Sequence, residues 1–220
     1  MGNVQHLLAR PRPPSKLIAV DGLPAPSRFV PAPTLLEWIQ AAYLHEDGAL
    51  FSEEHSHLER ATIGCLWTNT ENSRHQRRIV GQAEMPSRTL GRAGKWASGR
   101  ARQQLEEWFE AVPDFLLTFD SRYADAVDDA SFCALVDHEL FHCAQAEDEF
   151  GEPHFSKATG LPIWTIRGHD VEEFSSVVRR FGIQAAGKKA MDFVSAATKR
   201  PEIAAARLTQ ACGTCLKAAA

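Results

Sequence analysis

The residues with the clearest chemistry are His138, Glu139 and His142, in the run Val136-Asp137-His138-Glu139-Leu140-Phe141-His142-Cys143. Their spacing is H-E-x-x-H. On a helix, residues four apart share a face one turn above each other, so two imidazoles can reach one metal ion at about 2.0–2.1 Å. Glu139, one step from His138, projects beside such an ion rather than onto it. From there a carboxylate can take a proton from a metal-bound water and hand it to a leaving amine. Phe132, Leu135, Val136 and Leu140, with Cys143, supply an apolar face to seat the helix. The rival reading is an ordinary helix whose two histidines cap or pack.

A catalytic zinc site needs a third protein ligand and an open fourth position. A metzincin-type extension would place glycine three positions after His142 and histidine three further on, where this chain has Gln145 and Asp148. Asp148 has a ligand's separation, but with Glu147, Glu149 and Glu152 it reads as a solvated acidic helix end. His154 nearby reads as a surface residue. The stronger candidate is Gly168-His169-Asp170-Val171-Glu172-Glu173-Phe174. Asp170 and Glu173 form a capping box that opens a helix. His169, just before the cap, could face the histidine pair or pack as a staple on Phe174. Glu172 and Glu173 are rival carboxylate ligands, Glu173 being already engaged by the cap.

Several elements must position these groups. Residues 1–33 carry seven prolines, which remove amide donors and block helix, so this segment reads as an extended arm. Leu35, Leu36, Trp38, Ile39 and Tyr43 recur at helical spacing from Thr34 onward. Two β-like runs, Ala61–Thr68 and Arg78–Met85, flank a polar loop and resemble a hairpin with a long turn. Ala97, Ala101, Leu105, Trp108, Phe109 and Val112 mark a helix stopped by Pro113. Asp114–Asp120 (DFLLTFD) reads as a strand. It could be an edge that pairs with an extended substrate, but apolar residues on both faces favour an interior position. Helices are predicted from Ser131 to Glu147 and from Asp170 to Phe181, and the alanine-rich remainder is read as helical. The order predicts an α+β fold with a small mixed or antiparallel sheet. It divides into a tail (1–33), a catalytic domain (34–183) and a C-terminal helical extension (184–220).

Composition sets the outer limits. The 220 residues are 44% hydrophobic and 24% charged, with a formal charge of −4, so charge does not demand a nucleic-acid or membrane partner. No apolar run is long enough for a transmembrane helix, and the N-terminal Leu-Leu-Ala fragment is too short for a signal peptide. The expectation is a soluble, cytoplasmic protein.

The blocks ALVDHELFHC (134–143) and GHDVEEF (168–174) together resemble the putative phage metallopeptidase family, as do IGCLWT (63–68), IVGQAE (79–84) and PDFLLTFD (113–120). The resemblance covers about residues 50–183. More remotely, the arrangement is similar to SprT-like zincin proteases, in which a histidine at a helix entrance completes the metal site. It implies a minimal zincin-like fold and a phage- or prophage-encoded protein in a bacterial host. It also implies zinc (Zn2+) held by His138, His142 and His169, Glu139 as general base, and a protein or peptide substrate. Two departures stand out: His169 lies 27 positions after His142, and Asp170 replaces the glycine common after the SprT-type histidine.

Weaker features complete the reading. Arg74, Arg77, Arg78, Arg88, Arg92, Lys95, Arg100 and Arg102 form a basic stripe that could contact phosphates. A solvated face paired with Glu106, Glu107 and Glu110 is the favoured alternative. His55 and His57 read as loop or core histidines rather than a second metal site. Cys212-Gly-Thr-Cys215 lacks the second pair that a structural zinc site requires, and reads as a surface helix feature. Tyr123 is a candidate oxyanion-stabilising hydroxyl. The functional expectation is a zinc-dependent peptide-bond hydrolase. Its alternative is a catalytically silent zincin scaffold that keeps zinc for stability and recruits a protein or nucleic-acid partner.

Overall fold

The computed structural model describes residues 10–20, 23, 24, 26–74, 76–171, 178, 179, 182–207 and 211–214. The chain divides into two compact units, Met1–Arg167 with Ala206–Ala220, and Gly168–Ala205.

The first unit is α+β. Its main strands are β1 (Phe29–Pro31), β2 (Ile63–Thr68), β3 (Arg77–Glu84), β4 (Phe115–Asp120), β5 (Cys143–Gln145), β6 (Trp164–Ile166) and β7 (Ala211–Cys212), beside the two-residue strands Ala19–Val20, Leu23–Pro24 and Ser73–Arg74. Its longer helices are α1 (Pro33–Ile39), α2 (Lys95–Phe109), α3 (Ser121–Ala126) and α4 (Asp129–His142). The main sheet is mixed, in the order β7-β3-β4-β2-β1, and β5 pairs with β6 in a separate ribbon.

The two runs expected to form a hairpin are both strands, but they do not pair. β4 lies between them, parallel to β2 from Ile63↔Phe115 to Thr68↔Asp120 and antiparallel to β3 from Gly81↔Phe119 to Glu84↔Leu116. The physical reason is burial. Phe115, Leu116, Leu117 and Phe119 are all buried, and a strand apolar on both faces gains most at the centre of a sheet. DFLLTFD is therefore the central strand, and β3 lies between it and the short edge strand β7.

Alternation along β2 and β4 feeds two cores. Trp67 and Phe119 point to one face, where their rings lie 5.7 and 5.5 Å from the Phe132 ring of α4. Leu66 and Leu116 point to the other and pack with Leu90 and Leu105 under Trp108, Phe109 and Val112. α2 ends at Glu110, which takes the left-handed conformation (φ 66°), and the chain leaves before Pro113. α1 continues into a π-helical turn that buries Tyr43, whose hydroxyl donates to the Cys133 carbonyl of α4 at 2.8 Å.

The proline-rich arm is seated on this unit through Leu17 and Arg10, both buried. The Arg10 guanidinium donates to the Ala124 and Val127 carbonyls at 2.7 and 2.9 Å and lies 4.2 Å over the Phe132 ring. Beyond Arg167 the second unit contributes α5 (Gly187–Ala197), with an ion pair between Asp170 and Lys189 at 3.5 Å. The helix expected from Asp170 to Phe181 lies mostly outside the described residues. Downstream of Pro201 the described residues carry the strand β7 instead of the helix expected there, because the backbone groups of Ala211 and Cys212 are paired along β3.

Candidate metal centre

α4 is opened by Asp128, whose carboxylate accepts from the Ser131 amide and hydroxyl at 2.9 Å each. These bonds satisfy an otherwise orphaned helix donor and hold the Asp128 carboxyl below its ordinary range. The helix stops at His142, five residues short of the expected Glu147. Cys143–Gln145 instead pairs with Trp164–Ile166, Cys143 opposite Ile166. The ribbon brings the Arg167 carbonyl to within 2.6 Å of His142 Nδ1. Only a ring N–H can donate to a carbonyl, so Nδ1 carries the proton and Nε2 presents a lone pair.

That lone pair converges with two other donors. His138 Nε2 lies 3.3 Å from His142 Nε2, the rings at 82° to each other. Cys212 Sγ, on β7, lies 3.5 Å from the same His142 nitrogen. The donor atoms of His138, His142 and Cys212 all fall within 4.8 Å of one another. A tetrahedral zinc with ordinary Zn–N and Zn–S bonds would hold two nitrogens about 3.3 Å apart and a nitrogen and sulfur about 3.5 Å apart. The spacing and the two-nitrogen, one-sulfur donor set both fit that ion.

Glu139 is fully buried beside this cluster. Its Oε2 lies 3.1 Å from the Thr214 hydroxyl, and its Oε1 is buried with no hydrogen-bond partner among the described residues. Burial, and then the Cys212 thiol, push its pKa up to about 8. His142 is moved upward overall: burial presses it down, but the contacts with Cys212 and the Arg167 carbonyl outweigh that. The close approach of α4 to β3 depends on Gly81. A Cβ there would meet Glu139 Oε1 at 2.8 Å and Leu135 Cδ1 at 2.9 Å. A cleft of about 420 Å³ opens beside the end of β3, lined in part by Ala83, Glu84, Arg88, Ile166 and Thr214.

The sequence reading missed Cys212 by placing it on a surface helix. It is half-buried on a strand, and the only signal was a cysteine in a Cys-Gly-Thr-Cys run 70 residues after His142. His169 is exposed and belongs to the second unit, while Glu172 and Glu173 lie outside the described residues. Tyr123 sits on α3 with Asp128 and Arg10 as its charged neighbours, and its buried hydroxyl has no hydrogen-bond partner among the described residues. Asp128 and His138 are ten residues apart on α4, about 15 Å along the axis. Asp148 is engaged in its own loop, accepting from the Phe150 and Glu152 amides at 2.8 and 3.0 Å. His55 and His57 brace the helix end: His55 Nε2 lies 2.8 Å from Asp137 Oδ1, and His57 Nε2 lies 2.8 Å from the Cys143 carbonyl oxygen. Within the basic stripe, Arg78 is committed to Asp120 at 2.7 Å, and Arg102 faces Glu106 at 3.8 Å.

Residues 36–198 match the family described as putative phage metallopeptidase, well over half of the chain, and the chain belongs to that family. No curated protein and no solved structure matches it. The family name points to a metal-dependent peptidase of phage origin acting on protein or peptide. Among the described residues, no helix is long and apolar enough to cross a membrane.

Proposed function

We propose that this chain is a zinc-dependent peptide-bond hydrolase with Glu139 as its general base. The observation that carries the reading is a fully buried carboxylate on the same helical turn as two imidazoles whose Nε2 atoms stand 3.3 Å apart. His138 and His142 would hold the ion, His142 kept in the ligating tautomer by the Arg167 carbonyl. For the third permanent protein ligand the sequence offers His169, with Glu172 and Glu173 as rivals, while in the fold Cys212 stands beside the histidine pair. A bound zinc supplies an activated water and a Lewis-acid contact for a carbonyl oxygen.

The chain's own residues do the rest. Glu139 accepts a proton at its carboxylate and delivers it to the departing amine. Glu139 is fully buried, with Leu135 beside it over Gly81, so bulk water is excluded from its proton transfers. The edge of β3 that β7 now occupies would, with β7 displaced, offer main-chain groups to an extended peptide as an added strand. Contact with nucleic acid through Arg74–Arg102 gains nothing from the fold, since Arg78 and Arg102 already face carboxylates.

The test is Glu139→Gln. The variant is expected to keep its zinc and lose hydrolysis of fluorescein-labelled casein by roughly a hundredfold or more, the range for removing a general base. Loss of zinc instead would make Glu139 a ligand and overturn the assignment. Full retention of hydrolysis would overturn it equally.

A further inference from the structure

The segment Ala211–Thr214 makes three contacts that a catalytic site would need for other purposes. β7 runs parallel along β3, with Ala211 opposite Ile79 and Cys212 opposite Gly81, and the Gly213 amide donates to the Gly81 carbonyl at 2.8 Å. The Thr214 hydroxyl continues the pairing by side chain. It accepts from the Ala83 amide at 2.7 Å, and its single proton is shared between the Ala83 carbonyl at 2.8 Å and Glu139 Oε2 at 3.1 Å. Cys212 meanwhile stands among the metal donors.

Building on the proposed hydrolase, we infer that Ala211–Thr214 is an internal inhibitory strand: it fills the peptide edge of β3, lends the Cys212 thiolate to the metal, and must leave before a substrate can pair. A strand that served only to supply a metal ligand would have no need to cap the base. Here one four-residue stretch closes the edge, the metal position and the carboxylate together. The segment also lies outside residues 36–198, whereas His138, Glu139 and His142 lie within them. The fit is local and tight. A Cβ at Gly213 would meet Gln82 Oε1 at 2.7 Å and Ile79 Cγ2 at 2.8 Å, so a larger residue there would force those side chains to shift. The pairing is short, two residues with a register shift between them, so few main-chain bonds have to break on release. No covalent step is required; with zinc bound, the Cys212 thiolate would give up its place to water as the strand leaves.

The experiment uses the full chain with Glu139→Gln, so that binding is read without turnover. Iodoacetamide labelling of Cys212 is followed by mass spectrometry, with and without bound zinc, and zinc content and fluorescein-labelled casein binding are measured before and after labelling. The expected result is labelling slowed by zinc, then zinc retained and casein bound roughly tenfold more tightly once Cys212 is alkylated, since a tethered competitor at high effective concentration has been removed. Cys212→Ser in the same background should gain casein affinity without alkylation. Labelling at one rate with and without zinc would show that the thiol is not on the metal, and would overturn the inference. Zinc lost on alkylation or in Cys212→Ser would make Cys212 a permanent ligand and overturn it equally. Tighter casein binding after alkylation would stand even if no variant hydrolysed casein, so the strand and the hydrolase reading fail separately.

Discussion

His55 Nε2 lies 2.8 Å from Asp137 Oδ1, which places a fully buried imidazole directly behind the residue that precedes His138. The His55 ring also packs 4.5 Å from the Phe141 ring, so one side chain holds both ends of the H-E-x-x-H turn. His55→Ala should leave a cavity and a carboxylate without its partner, costing about 3 kcal/mol. Urea unfolding checks the size. Zinc stoichiometry of the folded variant should be unchanged, because His55 braces the helix rather than binding the ion.

Asp128→Ala removes the cap of α4 and should cost about 1 kcal/mol at neutral pH. The sign of the pH dependence follows from the direction of the shift. The Asp128 carboxyl is held below its ordinary range by its bonds to Ser131, so its contribution is present above the unfolded carboxyl's pKa and fades as pH falls through the folded value. The stability difference between wild type and variant should therefore shrink in acid, below about pH 4. A difference constant from pH 7 to pH 3 would contradict the capping role.

Gly81→Ala puts a methyl group against the Glu139 and Leu135 side chains, at 2.8 Å from Glu139 Oε1 and 2.9 Å from Leu135 Cδ1, and both side chains are buried. A stability loss of about 1–3 kcal/mol is expected, typical of overpacking at a close contact. Because the clash falls on Glu139, casein hydrolysis should drop further than the folded fraction does. Hydrolysis that simply tracked the folded fraction would contradict a catalytic position for Glu139.

The local part of this arrangement is legible in the sequence. His138, Glu139 and His142 sit within one and a half helical turns, and Phe132, Leu135, Val136 and Leu140 give that helix its buried face, so periodicity alone places them. The apolar run of β4 likewise announces an interior strand. What could not be read was the choice of distant partners. β2 and β3 are consecutive strands, and only the burial requirement of β4, about thirty residues later in the chain, separates them. The end of α4 depends in the same way on a partner strand at Trp164–Ile166, with no stop residue in the helix itself to mark it. Cys212 was hidden for a third reason: nothing near it in an alanine-rich stretch suggests a strand, and its role exists only through its pairing with Gly81.

The most direct measurement is elemental analysis of the full chain after zinc loading and exhaustive dialysis, beside His138→Ala and His142→Ala. The donor spacing leads to about one zinc per wild-type chain, with both variants losing most of it while remaining folded. Sub-stoichiometric zinc in the wild type after loading, or full zinc in either histidine variant, would contradict the metal centre on which the proposed hydrolase rests.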